Sequence, residues 1–64
     1  MIEIGTEVFI TENARVLLGL PEGLVYEVKD TLYLDVDKPV VLSCDEMGSD
    51  WVEFFSEDEL ITIT

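Results

Sequence analysis

The strongest constraint on this chain is a period of two. Ile2, Ile4, Thr6, Val8 and Ile10 alternate with Glu3, Gly5, Glu7 and Phe9. An extended backbone sends successive side chains to opposite faces, so this alternation reads as a half-buried strand. The pattern recurs. Residues 24–29 place Leu24, Tyr26 and Val28 on one face, and Leu32, Leu34 and Val36 alternate with Tyr33, Asp35 and Asp37. Residues 40–44 form a short apolar run, residues 51–55 a return strand, and residues 60–64 a last, β-branched strand. No segment sustains a 3.6-residue period, so an all-β fold of about five or six short, mostly antiparallel strands is expected.

Turn signals divide these runs. Glu12-Asn13-Ala14-Arg15 breaks the first alternation, and Gly19-Leu20-Pro21-Glu22-Gly23 is a strong loop. Residues 16–18 between them read either as a short strand or as the apolar underside of a long loop. Lys29-Asp30 and Lys38-Pro39 punctuate the middle, and Asp45-Glu46-Met47-Gly48-Ser49-Asp50 reads as a hairpin loop. Ser56 followed three residues later by Glu59 has the spacing of a capping box, which predicts one helical or 3-10 turn over residues 56–59. With 64 residues there is room for a single domain, 1–64, and for a thin stability margin.

This layout resembles the small SH3-like barrels of bacterial and phage proteins. Such barrels often open with a strand of the form apolar-Gly-x-x-Val, matched by Ile4-Gly5-Thr6-Glu7-Val8. A long loop and a Gly-x-x-Tyr-x-Val strand follow, matched by Gly23-Leu24-Val25-Tyr26-Glu27-Val28. A hairpin, the aromatic strand Trp51-Val52-Glu53-Phe54-Phe55, a 3-10 turn at Ser56-Glu57-Asp58-Glu59-Leu60 and the strand Ile61-Thr62-Ile63 complete the match. Residues 31–38 are extra to a minimal barrel. The resemblance implies a small closed barrel and no particular activity, because such barrels serve many functions.

Charge narrows the function. Fifteen acids face three Lys or Arg and no His, for a net charge of −12, yet 48% of the residues are hydrophobic. The chain can therefore bury a core beneath an anionic surface. That surface repels phosphates, which argues against direct binding to nucleic acid or an anionic membrane and favours a basic protein surface. No window approaches the ~18 apolar residues of a membrane span. The opening Met1-Ile2-Glu3-Ile4 has no basic region and no long apolar run, so no signal peptide is expected. The single Cys44 cannot form an intrachain disulfide, and a cytoplasmic setting is expected, in the host cell if the chain is phage-encoded.

Catalytic chemistry finds little footing. Without His there is no ordinary neutral-pH general base. Cys44 has no His partner and shares an apolar face with Val40 and Leu42, which reads as a buried core thiol. Asp35-x-Asp37 and the Asp45–Asp50 loop carry oxygen ligands but lack the ligand spacing of an EF-hand. No enzyme activity, metal or cofactor is expected.

Charge density tests a nucleic-acid-like surface. Mass scaling gives a folded surface of ~4,100 Å². Twelve net charges spread evenly would sit one per ~340 Å², against one per ~100 Å² on a duplex ~20 Å wide. Mimicry therefore requires clustering. Residues 45–59 hold Asp45, Glu46, Asp50, Glu53, Glu57, Asp58 and Glu59, with no Lys or Arg after Lys38. Asp35 and Asp37 on a strand would lie ~6.7 Å apart. With Val52 and Phe54 turned inward, Trp51, Glu53 and Phe55 would share the outer face. The expected function is a non-enzymatic acidic binder that occupies a basic surface on a nucleic-acid-handling enzyme, as small phage inhibitors do. The acids of residues 45–59 would supply charge, and Trp51 and Phe55 apolar anchors. The alternative is a structural or assembly module whose acidity serves solubility. Self-association is compatible with either.

Overall fold

The computed structural model describes residues 2–33 and 36–63. Five antiparallel strands form one sheet: β1 (Glu7–Ile10), β2 (Tyr26–Thr31), β3 (Val40–Ser43), β4 (Val52–Phe55) and β5 (Leu60–Thr62). Their order across the sheet is β4-β3-β2-β1-β5. One helix, α1 (Glu12–Leu18), follows β1, and 3-10 turns occupy Asp45–Met47 and Glu57–Glu59. The all-β expectation holds in part: the fold is mostly β, with one helix that was not expected. Closure into a barrel does not hold: among the described residues the sheet ends at β4 and β5, which do not pair with each other. The sheet still curls, with extents of 29 × 25 × 23 Å. A register shift between Val28 and Asp30 in β2 supplies a local bend, as an extra residue in one strand does.

Register fixes what is buried, because directly opposed residues in an antiparallel pair point to the same side. Val8 faces Tyr26, Val28 faces Leu42, and Val40 faces Phe55. These side chains, with Ile10, Ala14, Leu20 and Cys44, form the core. Cys44 shares a buried face with Val40 and Leu42, as the sequence indicates. Ile2, Leu24, Tyr33, Met47, Trp51 and Leu60 pack around its margin. The Trp51 ring lies 5.5 Å from that of Tyr26.

The first strand is shorter than its alternation suggests. Gly5 takes φ 92°, open to glycine and costly for other residues, and the Thr6 amide bonds back to Glu3. Extended structure resumes at Glu7. The strand expected over residues 32–36 is absent at Leu32, Tyr33 and Val36. Leu34 and Asp35, and with them the Asp35–Asp37 pair, lie outside the described residues.

Helix α1 replaces both the break expected at residues 12–15 and the short strand or loop underside expected at residues 16–18. Glu12 sits in its first turn, where a carboxylate complements the helix dipole. Gly19 ends it at φ 67°, with its amide bonded to Val16 and the Leu20 amide to Arg15. These are the two bonds of a Schellman motif, and Leu20 then turns into the core. Only Ala14 of the helix is buried, while Leu17 is 84% exposed. The helix therefore carries no apolar stripe for a sequence pattern to reveal. Among the described residues, no helix is long and apolar enough to cross a membrane.

The second 3-10 turn forms where the capping-box spacing places it. The Glu59 carboxylate accepts the Ser56 amide at 3.0 Å.

Candidate partner-binding surface

The acids of residues 45–59 are not one cluster. Asp45, Glu46 and Asp50 follow β3 and precede β4, whereas Glu57, Asp58 and Glu59 follow β4. Strand β4, four residues long, puts roughly 13 Å between the two groups at about 3.3 Å per residue. Glu53 lies between them, opposite Leu42.

Several of these carboxylates have partners within the fold. Glu59 pairs with Lys38 at 2.6 Å, which with the Ser56 amide holds its carboxyl below the ordinary range. The Ser56 hydroxyl lies within bonding distance of both Asp58 and Glu59, and its one proton serves one carboxylate at a time. Glu57 stands beside the Tyr33 hydroxyl and, after burial, helps to raise its pKa. That hydroxyl also accepts the Ile2 amide at 3.0 Å. Glu46 accepts the Cys44 thiol at 3.2 Å. This bond lowers the Glu46 pKa, and it adds to the burial that pushes the thiol up. A thiol so placed is a poor nucleophile.

The aromatic anchors are also rearranged. Phe55 is fully buried and Trp51 packs against the core, whereas Val52 and Phe54 are 41% and 44% exposed. The expected facing of this strand is thus reversed. Val40 and Leu42 face the core, so their partners Phe55 and Glu53 must share that side. The sequence Val52-Glu53-Phe54-Phe55 offers two adjacent Phe residues, and local alternation alone cannot choose between them. Glu53 takes the inner side at the sheet margin, half-buried, and its carboxylate accepts the Phe54 amide at 3.2 Å.

The fold assembles a different acidic group. Glu7 on β1 stands opposite Glu27 on β2, and Glu27 stands opposite Ser43 on β3. These residues, with Val25, Tyr26, Cys44, Asp45 and Glu46, line a recess of about 190 Å³. Four acidic residues from three separate segments line it. Sequence reasoning identified Asp45 and Glu46 but did not single out Glu7 and Glu27. The only available signal was that both occupy polar positions of alternating strands. Val52 continues the same row on the outer face, opposite Ser43. A neighbouring row runs Asp30, Val41, Phe54.

A second recess of about 280 Å³ lies between α1 and β1, lined by Phe9, Glu12, Arg15, Glu22, Leu24 and Ile61 among others. Arg15 spans its rim, donating to the Leu20 carbonyl at 3.1 Å and to Glu22 at 3.3 Å. Among the described residues, no group of three or more His, Cys, Asp or Glu is placed to hold a metal ion.

No protein-family model, curated protein or solved structure matches this chain.

Proposed function

We propose that this protein is a non-enzymatic acidic binder whose target is a basic protein surface, of the kind found on nucleic-acid-handling enzymes. The convergence of Glu7, Glu27, Asp45 and Glu46 on one recess carries the reading. The accessible surface is 4381 Å² for twelve net negative charges, or about 365 Å² each if evenly spread. Four of the acidic residues line one small recess. Val52 and Phe54 on the outer face supply the apolar contact first assigned to Trp51 and Phe55. A charged surface beside apolar anchors suits fast, salt-sensitive association with a cationic partner. The hairpin β3–β4, the 3-10 turn after it and the return of β5 to β1 support kinship with the small SH3-like proteins of bacteria and phage. In that setting the protein acts in the cytoplasm as an inhibitor that occludes a nucleic-acid site.

A second reading draws on α1. Val16, Leu17 and Leu18 are exposed together, and Phe9 opposes Ile61 on the outer face with both exposed. Such surface suits an assembly module whose acidity maintains solubility.

The deciding experiment is capture of partners from lysate with the wild-type chain and with a Glu7→Lys, Glu27→Lys, Asp45→Lys variant. A basic partner that the wild type retains at low salt, releases at high salt, and that the variant fails to retain supports the binder. Equal, salt-resistant capture by both chains overturns it in favour of the assembly module.

A further inference from the structure

We infer that the free edge of β4 is a docking strand, and that its occupant is an extended, cationic segment of the partner protein added to the sheet by backbone hydrogen bonding. The inference rests on the acidic-binder reading and specifies its mode of contact.

Among the described residues, strand β4 ends the sheet, with β3 on one side and no strand on the other. An edge strand presents unpaired backbone groups, which form a template for an incoming strand. The Phe54 amide shows how this edge is kept. It points away from the ladder and bonds, exposed to solvent, to the carboxylate of the preceding residue, Glu53. That bond is local and holds no other element in place, so an incoming carbonyl can take over the amide. The released Glu53 carboxylate would then meet a cationic side chain of the same incoming strand. Val52 and Phe54, both exposed on the outer face, offer apolar contacts to alternate side chains of the added strand.

Charge selects the occupant. Asp45, Glu46 and Asp50 lie beyond one end of β4, and Glu57, Asp58 and Glu59 beyond the other. An added strand runs its termini past both groups, so cationic residues at either end are attracted. A second copy of this chain is disfavoured, because it would bring another net charge of −12 to the same edge. The other edge, β5, is only three residues long.

The test uses two soluble peptides of equal charge. One alternates lysine with valine. In the other, proline replaces each valine, which removes backbone donors and prevents strand pairing. Binding to the full chain is followed by amide chemical shifts and hydrogen exchange at low salt. The expected result is tighter binding of the valine peptide, by about tenfold or more, with exchange slowed at Val52 and Phe54. Phe54→Pro should abolish that preference, because this amide is not part of the β3–β4 ladder. The wild-type exchange pattern stands as the test even if that variant does not fold. Equal binding of the two peptides, or shifts at Glu7 and Glu27 without change in β4, overturns the docking strand while leaving the acidic binder intact. Failure of both peptides to bind at low salt overturns the binder itself, and the docking strand with it.

Discussion

Glu7 and Glu27 stand directly opposite each other on β1 and β2, two like charges on one face of the sheet. Opposed Cβ atoms in such a pair are about 5 Å apart, and like charges there are destabilising. The fold tolerates this repulsion at the recess that the proposed function uses. Replacing Glu27 with Lys should therefore stabilise the protein by about 0.5 kcal/mol at low salt. The gain should shrink in about 0.5 M NaCl, where the repulsion is screened. The wild-type thermal midpoint should itself rise on going to that salt. Urea titrations and thermal melts at both salt concentrations check the prediction; an unchanged wild-type midpoint would mean that the carboxylates are already compensated.

Phe54 and Phe55 are neighbours in the chain with opposite fates. Phe55 is fully buried, so Phe55→Ala should cost about 3–5 kcal/mol, much of the stability of a chain this small. Phe54→Ala should cost less than about 1 kcal/mol and should instead weaken partner binding. Denaturant unfolding of the two variants separates them. A reversed order would place the other face of β4 against the core.

The Lys38–Glu59 pair predicts a dependence on acid. The Lys38 ammonium and the Ser56 amide lower the Glu59 pKa from its ordinary value of 4.5. A carboxyl depressed in the folded state adds stability above its unfolded pKa and loses it as pH falls through the folded pKa. Lys38 is half exposed, so solvent limits the pair to less than about 1 kcal/mol. Lys38→Met should be less stable than wild type at about pH 7, and the gap should be smaller at about pH 3. Paired urea titrations at the two pH values read it directly. A gap that persists undiminished in acid would assign the effect to packing of the lysine stem.

Tyr26 places a hydroxyl in the core with no hydrogen-bond partner among the described residues. Burial is the main cause that raises its pKa, and the neighbouring Cys44 adds to it. An unsatisfied buried hydroxyl costs desolvation that a hydrogen bond would offset. Tyr26→Phe should therefore leave stability unchanged or raise it by up to about 1 kcal/mol. A loss of more than about 1 kcal/mol in thermal or urea unfolding would show that the hydroxyl is bonded in solution.

Strands β1 to β5 were legible because each carries local alternation or a β-branched run, and the turn at Ser56 because its cap is written within four consecutive residues. The helix was not legible. At seven residues α1 is too short to be stable alone, and what holds it is the Schellman bond from Leu20 and the burial of Ala14. The side of β4 that faces the core was also hidden, because Phe54 and Phe55 give alternation no preference. Likewise, the acids of residues 45–59 are contiguous only in sequence, since β4 carries one group away from the other.

What the sequence determined by itself was a small, strongly anionic, mostly-β domain with a capped turn before its last strand. Those properties follow from composition and from periodicities that need only near neighbours. Tertiary structure decided where the sheet ends, which phenylalanine is buried, and that Glu7 and Glu27 join Asp45 and Glu46. Each of these depends on strand register, which couples residues far apart in the chain, and a shift of one residue would turn every side chain of a strand to the opposite face.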